Sequence, residues 1–187
     1  MKIFEIVRLG LFCLITIFLI YVSRKSFRSS SVHGFYRFFV FELTLALVIL
    51  NLPYWFAEPL SLNQLVSWPL LLISIVLVVL SFYFLSKLGR SEKRDGYTAN
   101  YEFENTVNLV KEGIYKYIRH PMYGSILFLS LGAFFKHVSY ITAALTTLTL
   151  LFLVLTARTE EKENIKFFGD QYKEYMKNSK MFIPFLF

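Results

Sequence analysis

Residues 121–157 read PMYGSILFLSLGAFFKHVSYITAALTTLTLLFLVLTA. Two apolar runs, 121–135 and 138–157, are separated only by Lys136 and His137, with Ser139 close by. A link that short forces two successive helices back on each other as an antiparallel hairpin. The second run has the length of a membrane span, because a helix rising about 1.5 Å per residue needs about 20 residues to cross a hydrocarbon core of about 30 Å. The first run is short for a full span and is expected to sit tilted or to stop below the far surface.

Three further apolar blocks lie upstream, at about 3–22, 35–56 and 68–86, with Pro53 near one end of the second. The chain is 56% hydrophobic and 19% aromatic, with 21 Phe and only 18% charged residues. A soluble domain carries about a quarter charged residues without long apolar blocks. The expected fold class is therefore an all-α membrane protein of about five transmembrane helices, with helices 4 and 5 as a tight hairpin. The first block has no clean cleavage site after it and is expected to remain as a span.

The cations give the topology. Segments 23–37, 87–120 and 158–187 hold 4, 7 and 6 Lys or Arg, which is 17 of the 20. With five spans all three segments fall on one side, and only Lys2, Arg8 and Lys136 lie on the other. By the positive-inside rule the C-terminus and the basic segments face the cytoplasm and the N-terminus lies outside. The net charge of +7 is then read as orientation and attraction to anionic lipid headgroups, with no nucleic-acid partner. Cys13, the one cysteine, sits within the first apolar block and excludes a disulfide framework and a cysteine zinc site. Three scattered histidines make no metal site.

Two units follow: 1–86, the first three helices, and 87–187, where the polar chemistry is concentrated. The stretch 87–120 is too long for a simple connector. It carries Lys87-Leu88-Gly89-Arg90, then Tyr97, Tyr101 and Phe103, then Leu109-Val110-Lys111-Glu112-Gly113-Ile114-Tyr115. The tail from Arg158 is helical in character, with Gly169 as its expected break.

Arg119-His120-Pro121-Met122-Tyr123 stands where this stretch enters the fourth helix. Pro121 suits the first helical position, and a residue before proline is pushed out of helical geometry. His120 is thus held at a helix N-terminus, either as a headgroup anchor with Arg119 or as a ligand group. Arg158-Thr159-Glu160-Glu161 lies at the same end of the fifth helix. The hairpin makes His120 and Glu160 neighbours. Two adjacent carboxylates at a membrane boundary are costly unless water or a cation meets them. Elsewhere, Glu5 and Arg8 are spaced to pair, and Tyr54, Trp55 and Trp68 suit an outer aromatic belt. Glu42 suits snorkelling to the interface or the lining of a cavity, and His33 and His137 are loop residues.

Leu109-Val110-Lys111-Glu112-Gly113-Ile114-Tyr115 and Arg119-His120-Pro121-Met122-Tyr123, continued by Arg158-Thr159-Glu160-Glu161, Phe168-Gly169-Asp170-Gln171-Tyr172-Lys173-Glu174-Tyr175 and Phe182-Ile183-Pro184, resemble the signature of the isoprenylcysteine carboxyl methyltransferase family and the related phospholipid N-methyltransferases. The resemblance covers about 85–187. It implies S-adenosyl-L-methionine as cofactor, held under a cytoplasmic cap with a C-terminal helix, and methyl transfer to a lipophilic small molecule or membrane lipid: a carboxylate, an amine or a thiol. The cofactor residues it implies are Leu109, Val110, Gly113, Tyr115, His120, Pro121, Tyr123, Glu160 and Glu161. Glu160 or Glu161 would pair with the cofactor's ammonium, and Tyr115 and Tyr123 would face its sulfonium. Glu161, as a base for an amine acceptor, and Arg158 are the candidate catalytic residues. The chain departs from the isoprenylcysteine pattern at Thr156, where an arginine is usual, and at Val107, where a histidine is usual. Competing readings are a sterol-type membrane reductase with a nicotinamide cofactor and a non-enzymatic scaffold or transporter subunit. The glutamate pair favours a cationic cofactor over a nicotinamide, and the few polar residues at mid-depth in the spans speak against the scaffold or transporter.

Overall fold

A computed structural model of the protein describes residues 2–28, 32–90 and 106–186. Tyr97, Tyr101 and Phe103 lie outside the described residues. Those described contain no β-strand and six α-helices: α1 (Lys2–Ser23), α2 (His33–Asn51), α3 (Leu62–Leu88), α4 (Pro121–Lys136), α5 (Tyr140–Phe168) and α6 (Asp170–Asn178). The first three and α5 are long and apolar enough to cross a bilayer. The fourth has 16 residues and reaches about 24 Å, short of a full crossing, as its length in sequence implied. The protein is a multi-pass integral membrane protein.

α4 can be short because it is central. It packs along α3 on one side and touches α2 and α5 on others, while α2 also lies along α5 and α1 rests on α2. Residues Gly124, Ser125, Leu127, Ser130, Gly132 and Ala133 of α4 are all buried. In lipid no hydrophobic gain drives such packing, so close approach and interhelical hydrogen bonds carry it. The Asn51 side-chain amide donates to Ala133 O at 2.6 Å. Ser67 Oγ donates to Gly132 O at 2.7 Å, and Thr44 and Ser130 hydroxyls lie 3.2 Å apart. At Gly132 the approach is so close that a Cβ would stand 2.7 Å from Leu71 Cδ2 of α3.

The threonines within the span of α5 are satisfied by the helix's own carbonyls. Ser139 caps its start, accepting from Thr142 N–H at 3.2 Å. Thr146, Thr149 and Thr156 donate to the carbonyls of Thr142, Leu145 and Phe152. The helix has 29 residues, about 43 Å, so it runs past the hydrocarbon core. The segment from Arg158 is therefore the end of the fifth helix. It breaks where expected, at Gly169, whose φ is +63°.

Contacts place the two ends of the bundle. His33, the loop before α4 and the last turns of α5 share the basic end. Asn51, Gln64, Lys136 and His137 meet at the opposite end. There Lys136 is buried, donating to Gln64 Oε1 at 2.7 Å and lying 3.3 Å from the Trp68 ring centroid. Tyr54 stacks on His137 at 3.9 Å. The expected aromatic belt thus also encloses a lysine. Arg8 pairs with Glu5 at 3.2 Å. Glu42 turns to a neighbouring helix, its Oε1 accepting from Thr16 of α1 at 2.6 Å.

Gly132→Ala is expected to lower stability by about 1–3 kcal/mol, the usual cost of overpacking. Thermal unfolding of the purified protein in detergent measures it, and an unchanged midpoint would show that Leu71 gives way freely.

Candidate functional site

The loop entering α4 is shaped by Gly113 and Pro121. Residues Gly113–Lys116 form a single 3-10 turn, entered at a Gly113 φ of +59°. A Cβ there would lie 2.2 Å from the Phe84 ring, so a side chain is excluded by both backbone conformation and space. The close approach that Gly113 permits is thus to α3. Pro121 opens α4, and His120 stands just outside the helix with φ −123° and ψ 62°.

The C-terminal tail folds back onto this loop. Lys180 N–H donates to Tyr117 O at 2.9 Å, Arg119 N–H to Lys180 O at 2.7 Å and His120 N–H to Met181 O at 3.1 Å. The Arg119 guanidinium ties the same parts from below. Its Nε donates to Glu161 Oε1 at 2.7 Å, and Nη1 donates to Met176 O at 3.3 Å and to Ser179 O. Tyr175 Oη donates to Tyr115 O at 2.6 Å. Met181 and Phe182 are buried against Val40, Tyr123, Leu127, Leu153 and Ala157.

Beneath this cover lies a cavity of about 320 Å³, within the range of ligand pockets. Its polar end is lined by Tyr115, Arg119, His120, Tyr123, Glu160 and Asn164, with Phe168, Tyr172 and Tyr175 beside them. Leu109, Val110 and Thr106 come from the loop. The other end is apolar, with Phe41 of α2, Val78, Phe82 and Leu85 of α3, and Met122, Ser125 and Ile126 on α4. Arg37 of α2 stands on the wall as well.

Glu160 is the carboxylate of the cavity. Its Oε2 accepts from Tyr123 Oη at 2.6 Å, and its Oε1 lies 3.8 Å from His120 Nδ1. The side chain keeps 27% of its surface. His120 is buried, stacked with Tyr123 at 5.5 Å and meeting Phe182 edge-on at 6.4 Å. Its Nε2 has no hydrogen-bond partner, although Glu161 Oε1 lies 3.5 Å away. That nitrogen is turned to Glu161, and Nδ1 is the ring nitrogen on the Glu160 side. Burial raises the Tyr172 phenol well above the ordinary tyrosine range, and the nearby charges of Glu160 and Glu161 raise it further. Tyr175 is raised by burial, with Arg119 pulling the other way.

Of the residues singled out in the sequence, Leu109, Val110, Tyr115, His120, Pro121, Tyr123 and Glu160 line the cavity. Gly113, Glu161 and Arg158 do not. Glu161 is buried in the pair with Arg119. Arg158 is exposed, because two residues along an α-helix turn about 200° and Glu160 faces inward. Thr156 bonds its own helix, and Val107 donates its N–H to Arg90 O at 3.2 Å. Neither is on the cavity wall.

The sequence reading missed Arg37, the α3 wall, and Asn164, Phe168, Tyr172 and Tyr175. Tyr172 and Tyr175 carry the helical spacing i, i+3 within α6, a signal that was legible. Arg37, a cation at the border of an apolar block, was another. His33 is not a loop residue. It starts α2, is buried, and holds Glu163 through Nδ1 at 2.7 Å and through its backbone N–H at 2.9 Å. Arg37 Nη1 lies 3.4 Å from His33 Nε2.

A model of the phospholipid methyltransferase family matches residues 62–171, more than half of the 187-residue chain. The chain belongs to that family, a family of membrane methyltransferases. It is 35% identical over 79 residues to the protein-S-isoprenylcysteine O-methyltransferase of Schizosaccharomyces pombe, covering 42% of this chain and 34% of that protein. It is 33% identical over 73 residues to a methanethiol S-methyltransferase of Pseudomonas deceptionensis, covering 39% and 27%. With the methanethiol S-methyltransferase of Crocosphaera subtropica it shares 25% identity over 126 residues, 66% of this chain and 48% of that one. The matches therefore span from about a quarter to about a half of these relatives' own lengths. No solved structure matches the chain.

Arg119→Met is expected to destabilise by about 3–5 kcal/mol, since it strands the buried Glu161 charge. Arg119→Met/Glu161→Gln should recover part of that loss, as a thermal double-mutant cycle would show. Tyr172 and Tyr175 make a second test. Their raised values mean that the folded state keeps protons the unfolded chain releases above about pH 10. Their contribution to stability is then full below that pH and is lost as pH rises past it. Ultraviolet titration should find two tyrosines that ionise only on unfolding, and Tyr172→Phe/Tyr175→Phe should remove that delayed step.

Proposed function

We propose that this member of the phospholipid methyltransferase family transfers a methyl group from S-adenosyl-L-methionine to a lipophilic acceptor. The observation that carries the reading is the cavity itself, where Glu160, Tyr123 and His120 meet at one end and an apolar wall begins at the other. When bound, the cofactor supplies a methyl group already activated on a sulfonium sulfur.

The residues present fit such a group. Glu160, half held by Tyr123, offers its remaining carboxylate oxygen to an ammonium. Tyr115 and Tyr123 give aromatic faces to a sulfonium. His120, on the cavity wall, offers its Nδ1 edge, beside Glu160, to adenine or carboxylate. Leu109 and Val110 supply apolar contact, and Pro121 fixes the His120 backbone. Glu161 we assign to holding Arg119 and, beside His120, to orienting that ring. Gly113 shapes the loop against Phe84. Arg158, on the outer face, receives no direct role. The main contribution of these groups is to place donor and acceptor in line.

The acceptor belongs to the classes named by the relatives' activities or the family's description: a prenylcysteine carboxylate, a small thiol or a phospholipid amine. The basic end, with 17 of 20 Lys and Arg on its segments, we place in the cytoplasm. Within the chain, we read 87–187 as the unit carrying the donor site and 1–86 as the helices that complete its wall.

Titration of the detergent-purified protein with S-adenosylhomocysteine tests the reading. Wild type should bind, and Glu160→Gln and His120→Ala should weaken binding roughly ten- to a hundredfold, as expected for loss of hydrogen bonds to charged groups. Absence of binding by wild type, or undiminished binding in both variants, would refute it.

A further inference from the structure

The segment that follows Met181 leaves the cover and turns toward the bilayer. Phe182 is buried against Tyr123, Leu127 and Leu153, and its carbonyl stands 3.2 Å from where a Cβ on Gly124 would lie. The chain there runs beside the first two turns of α4, where that helix enters the membrane. Ile183 still packs on the core. A turn then closes, with Leu186 N–H donating to Ile183 O at 3.3 Å. Phe185 takes a φ of +66° in it, a conformation that bulky side chains rarely adopt. Phe185 and Leu186 leave this turn 82% and 78% exposed.

Their neighbours indicate what covers them. Tyr117, itself exposed, lies 6.2 Å from Phe185 between ring centroids. Lys116 Nζ stands 5.7 Å from the Tyr117 ring. Lys180, whose backbone pairs with Tyr117 and Arg119, is exposed as well. The cations of α6 differ: Lys173 and Lys177 are matched by Asp170 and Glu174. Among the described residues, Lys116 and Lys180 are in no ion pair. Two apolar side chains with an aromatic ring and two free-standing cations beside them have the chemistry of an interfacial anchor. Rings and aliphatic groups enter the boundary below the headgroups, and ammonium groups meet anionic lipid. The depth favours lipid over a soluble partner, because residues beside the first turns of α4 lie within reach of the headgroups.

We propose that Lys116, Tyr117, Lys180, Phe185 and Leu186 form a docking surface for anionic lipid in the leaflet at the basic end of the bundle. Phe185 and Leu186 enter that leaflet, and the two lysines meet its phosphates. The consequence reaches the cavity. Lys180 and Met181 carry the backbone bonds that hold the loop Tyr117–His120. Lys116 and Tyr117 belong to the loop side of that exchange, and Lys180, Phe185 and Leu186 to the other. Lipid docked there ties both sides of the cover to one surface, so anionic lipid favours the covered cavity. This holds whichever ligand the cavity takes.

The test uses the full-length protein in nanodiscs of phosphatidylcholine, alone or with phosphatidylglycerol added. In a Cys13→Ser background, Leu186→Cys carries a bimane label, and a nitroxide-bearing lipid serves as quencher. The same label at Asp170→Cys, on exposed α6, gives the reference. The label at 186 should be quenched more than the label at 170, and more still with phosphatidylglycerol present. Adding Lys116→Gln/Lys180→Gln should remove that lipid dependence. Hydrogen exchange reads the cover in the unlabelled protein. The amides of Arg119, His120 and Lys180 should exchange roughly five- to thirtyfold more slowly with phosphatidylglycerol, the range for one or two lysines at an anionic surface. Phe185→Ser/Leu186→Ser should lose that protection. Equal quenching at 186 and 170 overturns the proposal, since the label alone would then seek lipid or a protein partner would hold the surface. Quenching or exchange indifferent to phosphatidylglycerol overturns it too, as does a lipid dependence that survives in Lys116→Gln/Lys180→Gln.

Discussion

Arg119 and Glu161 meet at 2.7 Å with about a tenth or less of either side chain exposed. An ion pair this buried repays its desolvation only when the remaining donors are also met. Here the carbonyls of Met176 and Ser179 take Nη1, so one guanidinium joins the loop before α4, the end of α5 and the tail after α6. The backbone exchange between Tyr117–His120 and Lys180–Met181 depends on that join. So does the burial of Phe182 beside His120. The cavity has its cover because three segments far apart in the chain are held by one charged group.

The same arrangement divides the labour of the glutamate pair. Neighbouring residues on a helix point about 100° apart, so Glu160 and Glu161 cannot face one partner. Glu161 turns to Arg119 and disappears into the structure. Glu160 turns to the cavity, steadied by Tyr123. The stable pair joins the loop to α5, and the half-satisfied carboxylate is the one on the cavity wall. His120 sits between them, within 3.8 Å of one and 3.5 Å of the other, which couples the shape of the cover to the chemistry of the pocket.

Below this polar layer the protein is built by close approach. α4 lies so near α3 that Gly132 leaves no room for a methyl group against Leu71. Buried hydroxyls either bond their own helix, as in α5, or bridge to a neighbour, as at Ser67 and Asn51. α2 and α3 both pack on α4 and supply the two sides of the apolar wall, with α4 as its floor. A pocket with a charged upper rim and an apolar lower wall follows from where each helix passes from lipid to water.

The sequence by itself determined the helices and their pairing. Apolar blocks of span length admit no other fold in a bilayer, and a two-residue link between 135 and 138 leaves only a hairpin. That hairpin brought His120 to Glu160 before any coordinates, because both motifs stand at its open end. Local chemistry likewise fixed the break at Gly169 and the helix start at Pro121. Only the tertiary structure decided which member of each motif faces inward. Glu160 and not Glu161, Arg119 as a clamp, and Arg158 on the outer face all depend on helix rotation, which neighbours set and composition does not. It alone showed Arg37, because a residue on α2 reaches this cavity through packing against α4 and α5 and not through any spacing along the chain. It also moved Gly113 from ligand contact to loop support, since the ring it makes room for belongs to Phe84, a residue 29 positions away.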